Sequence, residues 1–217
     1  MVELARKTKA IWERFRGAKP VPGSLAYRKN RDAIWRGEIP EKYRRIIDLV
    51  PGESVLELGS AEGVLSLLLA QRKQKVIALE MKTSRHEEAL RLKAHWSKQG
   101  IDVGHCEMVP GRINDRLDLL QQVDTLLAVR SIYYLRDDIK DIFRTVGEHV
   151  ENVVLCGNKN RARKYQVANG NPDDVLGKFN YYASLEGMEE LLEGCGYEVV
   201  RTVPDGDPIV VGIRRRR

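Results

Sequence analysis

Cysteine is scarce in this chain: three in 217 residues, at Cys106, Cys156 and Cys195. They are odd in number, far apart and without paired spacing. That pattern argues against a disulfide frame and against a zinc site, and it favours a reducing cytosol, so a cytoplasmic location is expected. Long apolar runs are missing too, since none approaches the ~20 residues that a membrane span needs. The first twenty residues, MVELARKTKAIWERFRGAKP, hold no apolar core followed by a small-residue cleavage site, so no secretory signal is expected. They are basic and amphipathic, but Glu3 and Glu13 argue against a transit peptide. Histidine numbers four, at His86, His95, His105 and His149. None falls clearly at the carboxyl end of an expected strand, so a histidine base has no obvious carrier. No internal repeat is visible.

What is present is an ordinary globular balance, 42% hydrophobic and 31% charged, in a length that suits one domain with an extension or an insertion. The charge is uneven. Residues 1–45 hold 13 Lys/Arg against 5 Asp/Glu and the last four residues are all arginine, which leaves the middle at net −6 within an overall +6. A basic end attracts phosphate, nucleic acid or an acidic lipid surface, or is simply a solvated helix face.

Along the chain, Leu4, Ile11, Trp12 and Phe15 fall near one helical face. RDAIWRGEIPEKYRRIIDLV reads as one or two helices interrupted by Gly37 and Pro40. Strands are expected at Ser54–Leu58, KVIALE, GHCEMVPG, DTLLAV, NVVLCG, YEVVRTV and PIVVGI. Helices separate the first five, among them one opened by a capping box at Ser84 and Glu87. Another is a stripe of Ile139, Ile142, Phe143, Val146 and Val150, and RLDLLQQ reads as a short helix. The pattern predicts an α/β fold: a doubly wound, mostly parallel seven-stranded sheet with helices on both faces, plus an N-terminal helical extension. The turn residues PDGD join the last two strands, so the last strand should run antiparallel. The expected division is a basic helical extension or lid at 1–45 and a domain at 46–217, with a substrate-loop insertion at 158–182.

The informative stretch is VLELGSAEGVLSLLLA, Val55 to Ala70. In a doubly wound sheet, ligands sit outside the carboxyl ends of the strands where the strand order reverses. Small residues after the first strand let backbone approach a ligand and let the next helix pack close. Glu57 stands just before that turn, and Glu80 ends the second strand, where a carboxylate can accept from two ribose hydroxyls. Two carboxylates beside a glycine turn suit a cationic nucleoside better than a pyrophosphate.

With these residues in view, Glu57-Leu58-Gly59-Ser60-Ala61-Glu62-Gly63 resembles the first motif of class I S-adenosylmethionine-dependent methyltransferases. Glu80 falls where that family has its ribose-binding acid, and the likeness runs from about Glu41 to the C-terminus. The resemblance implies S-adenosylmethionine as cofactor, with S-adenosylhomocysteine as product. It implies that Gly59, Ser60, Ala61 and Gly63 line the methionine part, that Glu57 helps hold the amino group, and that Glu80 binds the ribose. Met81 would lie against the adenine, Ile113 and Asn114 at its rim, and Val129 at the end of the fourth strand. The sequence departs from the family pattern in Ala61, where a third glycine is common, and in Arg112, where an acid is.

For transfer chemistry the candidates are Arg130, Ser131 and Tyr133 in VRSIYYL, after the fourth strand. No Asn-Pro-Pro-Tyr type sequence follows that strand, which disfavours amino methylation of a nucleic-acid base. No carboxylate cluster suited to Mg²⁺ is evident either, so no metal is expected. The 158–182 segment mixes Lys159, Arg161, Arg163 and Lys164 with Tyr165, Phe179, Tyr181 and Tyr182. Such a mixture suits a small-molecule, sugar or phosphorylated acceptor, and RNA is the alternative acceptor. Two readings of another class stay open: a non-catalytic adenosyl-ligand-binding protein, and an NAD-dependent oxidoreductase, for which G-x-G-x-x-G is wanting. The sequence leaves the oligomeric state open.

Overall fold

The computed structural model describes residues 25–167 and 177–215. The helical face expected around Leu4 to Phe15 lies outside the described residues, as does part of the 158–182 segment. Among the described residues two helices come first, α1 (Leu25–Trp35) and α2 (Glu41–Ile47), parted by Gly37 at φ +80° and with Pro40 as the N-cap of α2. There follow β1 (Ser54–Leu58), α3 (Val64–Ala70), β2 (Lys75–Glu80), α4 (Thr83–Lys98), β3 (Cys106–Pro110) and β4 (Thr125–Val129). Then come α5 (Ile139–His149), β5 (Asn152–Cys156), α6 (Lys159–Val167), α7 (Gly177–Asn180), α8 (Leu185–Gly194), β6 (Tyr197–Val203) and β7 (Ile209–Arg214).

The strands form one seven-stranded sheet in the order β3-β2-β1-β4-β5-β7-β6. All the pairings from β3 to β5 are parallel, and β7 runs antiparallel to both β5 and β6. The strand order reverses between β1 and β4, which opens a crevice at their carboxyl ends. Alternation along each strand divides the core into two layers. Val55, Val76, Leu127 and Val154 face α1 to α4, together with Leu67, Leu92 and Trp96. Leu56, Ile77, Leu126 and Val153 face α5 and α8, together with Phe143, Val146 and Leu192. Glu57 follows Leu56 and therefore belongs to the α1–α4 side.

Two local expectations differ from the structure. The expected capping box at Ser84 and Glu87 is not formed: the N-cap of α4 is Lys82, two residues earlier, with no side-chain cap. The Lys82 N–H instead donates to Glu80 Oε1 at 2.8 Å, so the end of β2 supplies what a cap would. The short helix expected at RLDLLQQ does form, as a 3-10 helix over Leu117–Gln122. The described residues of the segment expected as a loop at 158–182 include α6, α7 and a 3-10 turn at Tyr181–Ala183. Ser184, by contrast, caps α8 through its side chain, accepting from Gly187 N at 3.1 Å.

Helix α1 is anchored to α4 by a buried carboxylate. Glu88 accepts from Tyr27 Oη at 2.9 Å, from Arg31 Nε at 3.1 Å and from Arg91 Nε at 3.0 Å. Burial opposes its ionisation, but these donors outweigh it and hold the carboxyl below its usual range. Trp35 donates to Tyr27 Oη at 2.8 Å, and Trp96 donates to the Ile34 carbonyl at 3.0 Å.

Candidate cofactor and substrate site

The turn after β1 is built from residues in the left-handed region: Gly59 at φ +75°, Ala61 at +53° and Gly63 at +72°. Gly59 and Ser60 both donate to the Leu79 carbonyl, at 2.9 and 3.0 Å, which binds the turn to the end of β2. At Gly63 two demands coincide. Besides its φ, a Cβ there would stand 2.9 Å from both Ala89 Cβ and Met108 Cε, so α3 can enter close to α4 and β3 only with glycine. Gly63→Ala is expected to cost about 2 kcal/mol, combining left-handed strain with overpacking. Urea unfolding of the variant reads this directly.

Glu80 is buried and faces the turn. Its Oε2 accepts from the Ala61 N–H and its Oε1 from the Lys82 N–H, both at 2.8 Å. Each carboxylate oxygen keeps lone-pair capacity for a further donor. Ala61 thus exposes its amide to the acid at the position where the family commonly has glycine, and accepts a left-handed φ to do so.

Glu57 is buried within β1, hydrogen-bonded by the Ser66 hydroxyl from the first turn of α3. Desolvation pushes its carboxyl up from 4.5 to about 7; the Ser66 contacts oppose the shift, while the charges of Glu80 and Glu62 add to it. No ion pair is made to Glu57 among the described residues. Glu62 is itself buried and lies 3.6 Å from Arg85 Nε. Three carboxylates therefore converge on the turn.

From α2, Tyr43 enters the same neighbourhood. Burial raises its phenol, the fields of Glu57 and Glu62 raise it further, and Arg130 opposes them. Sequence reasoning missed Tyr43, Ser66 and Glu62. A lone serine in the otherwise apolar helix VLSLLLA was a visible signal for Ser66. Nothing local marked Tyr43, because its approach depends on how α2 docks.

The remaining expected residues are divided by the structure. Met81 is 51% exposed just past Glu80, while Ile113 is buried in the core layer that faces α5. Asn114 is exposed and donates to Asp138 Oδ2 at 2.8 Å. Val129 ends β4 and is half-buried. Arg130, at φ +54°, donates from Nε to Asp207 Oδ2 at 2.7 Å, so the β6–β7 turn holds it at the crevice. Ser131 is buried and donates to the Leu58 carbonyl at 2.6 Å, which ties the end of β1 to the end of β4. Tyr133 is buried, and burial raises its phenol, so it keeps its proton at neutral pH. A depression of about 800 Å³, lined in part by Glu148, Glu151, Cys195 and Arg214, lies at the opposite end of the sheet and contains none of these residues.

No protein-family model matches the sequence, and no curated protein matches it. Solved structures do. The chain is similar to magnesium protoporphyrin IX methyltransferase from Synechocystis PCC 6803 with bound SAH, at 14% identity over 96% of this chain and 95% of that one, with a TM-score of 0.57. It is similar to cofactor-bound Rv0187 from MTB, at 15% identity over 94% and 96%, with a TM-score of 0.60. A third likeness is to the N-terminal domain of EvdMO1 crystallised in the presence of SAH and D-fucose, at 17% identity over 81% and 82%, with a TM-score of 0.54. The chain has the class I methyltransferase fold, with the expected seven-stranded sheet and antiparallel last strand. Among the described residues no helix is long and apolar enough to cross a membrane.

Proposed function

We propose that this chain is an S-adenosylmethionine-dependent methyltransferase whose acceptor is a small molecule or a glycan-like compound. The observation that supports the reading is the hydrogen bond from the Ala61 amide to Glu80, which sets the glycine turn and the carboxylate at the end of β2 side by side. The donor set fits the cofactor. Glu57 is a buried carboxylate with no cation partner among the described residues, and the cofactor's amino group is a cation. Glu80 retains acceptor capacity for two hydroxyls.

S-adenosylmethionine, when bound, supplies a methyl group activated by the sulfonium. The residues of this chain do the rest by placement. Glu80 would hold the ribose, with Met81 against the adenine and Ile113 and Asn114 at its rim. Glu57 would hold the amino group while Gly59, Ser60, Ala61 and Gly63 line the methionine end. Val129 and Arg130 would face cofactor and acceptor, with Tyr43 above them from α2. Ser131 keeps the ends of β1 and β4 in register, and Tyr133, its phenol raised by burial, stays protonated and is not the base. The neighbour crystallised with D-fucose supports the sugar-like end of the acceptor range. The three free thiols are in keeping with a cytosolic enzyme.

Transfer of a labelled methyl group from S-adenosylmethionine into a cell extract tests the proposal. The label is expected in the small-molecule or glycan fraction. Label in RNA would replace the acceptor, and no label in any fraction would remove the enzyme reading.

A further inference from the structure

Among the described residues at the carboxyl end of the sheet, Lys82, Arg112 and Lys159 are exposed, and of the cations that are ion-paired or half-buried one stands apart. Arg130 is matched by Asp207, Lys178 by Asp137 and Arg85 by Glu62. Arg161, at the start of α6, is half-buried and has only neutral partners among the described residues. Its Nη1 donates to Asn180 Oδ1 at 3.0 Å and its Nη2 to Tyr134 Oη at 3.2 Å. Its guanidinium carbon lies 4.4 Å from the ring centre of Tyr133 and 5.1 Å from that of Tyr134. Taking a guanidinium partly out of water without a counter-charge is unfavourable, and hydrogen bonds to neutral groups orient it without neutralising it.

The orientation is itself supported. Asn158 accepts through Oδ1 from the N–H groups of Asn160 and Arg161, at 3.1 and 3.3 Å, which fixes the start of α6. The same side chain donates from Nδ2 to Tyr133 Oη at 3.4 Å. Tyr133 follows β4 and Asn158 follows β5, so Arg161 bridges the ends of two neighbouring strands. β4, whose end lines the β1–β4 crevice, is the neighbour of β5 in the sheet. Tyr134, 60% exposed, presents a ring beside Arg161. Two donors held in place, the rest of the fork without partners among the described residues and an accessible aromatic face describe a receptor for a planar or tetrahedral oxyanion.

We propose that Arg161 binds an anionic group, phosphate or carboxylate, on the methyl acceptor, so that the acceptor is a small anionic molecule that spans from Arg161 to the crevice. The inference rests on the methyltransferase reading and narrows its acceptor class. Its test uses the full chain saturated with S-adenosylhomocysteine, so that failure of the cofactor reading appears first, as an absence of cofactor binding by calorimetry. Phenyl phosphate, benzoate and the neutral control phenol are then titrated while the Arg161 Nε–Hε resonance is followed by NMR. A saturable shift with phenyl phosphate or benzoate, and none with phenol, is expected; the two anions separate phosphate from carboxylate. Arg161→Gln should weaken that binding at least ~10-fold and leave cofactor affinity unchanged, and Arg161→Lys should also lose much of it, because an ammonium keeps the charge but reproduces neither the held fork nor the stack on Tyr133. No saturable shift at Arg161 with either anion, or equal anion affinity in Arg161→Gln, overturns the proposal. Should Arg161→Gln fail to fold, the resonance in the unsubstituted chain decides alone.

Discussion

Glu80→Ala is expected to weaken binding of S-adenosylhomocysteine by at least about 100-fold, measured by calorimetric titration. The substitution would remove two charge-assisted acceptors for the ribose hydroxyls, each worth about 1.5–3 kcal/mol. It also leaves the Ala61 and Lys82 amides without their acceptor, at 2.8 Å in the intact protein. The turn should therefore loosen as well, and part of the lost affinity reflects the cost of re-forming it on binding. Glu80→Gln separates the two contributions. Its one amide oxygen can serve a single backbone N–H, while its NH₂ presents donors where the other N–H and a ribose hydroxyl need an acceptor. An affinity for Glu80→Ala within a few-fold of the unsubstituted protein would remove Glu80 from the cofactor site.

Glu57→Gln should stabilise the ligand-free protein at alkaline pH while it damages cofactor binding. In the folded chain the Glu57 carboxyl is pushed from 4.5 up to about 7, with desolvation the main cause. Below about pH 4.5 it is protonated in both states and carries no penalty. As pH rises from about 4.5 to about 7 the unfolded chain gives up this proton and the folded chain holds it, so stability declines; above about 7 the loss is constant. A gap of this size corresponds to roughly 3 kcal/mol at most. Glutamine keeps an acceptor for the Ser66 hydroxyl and has no charge to desolvate. Urea unfolding at about pH 8 should therefore show the variant more stable by up to ~3 kcal/mol, with the difference closing toward about pH 4.5. No gain at alkaline pH would mean that Glu57 is not held against ionisation. The same linkage has a binding consequence: a ligand ammonium beside Glu57 favours its ionised form, so cofactor binding near neutral pH should release a proton.

Most of the sheet could be read from the chain because its periodicity carries the physics. Seven apolar runs, five of them separated by helical patterns, give the parallel sheet, and PDGD gives the antiparallel end. Gly59, Gly63, Glu57 and Glu80 were legible for a related reason, since turn chemistry and a carboxylate at a strand end are local features. The start of α4 was misread because Glu80, a residue of the preceding strand, takes the place of a side-chain cap. Ser131 read as a candidate for chemistry, yet its hydroxyl bonds the Leu58 carbonyl 73 positions away, a contact that no local pattern encodes. Tyr43 and the neutral setting of Arg161 were invisible for the same reason. Both depend on docking between elements far apart in sequence, α2 against the β1 turn and α6 against the end of β4.

A crystal structure of the chain with S-adenosylhomocysteine tests the central claim most directly. The account predicts the ribose hydroxyls on Glu80, the amino group beside Glu57 and the ligand backbone against the turn of Gly59 to Gly63. A ligand bound elsewhere, or a turn that stays filled by side chains with Glu80 turned out to water, would contradict it.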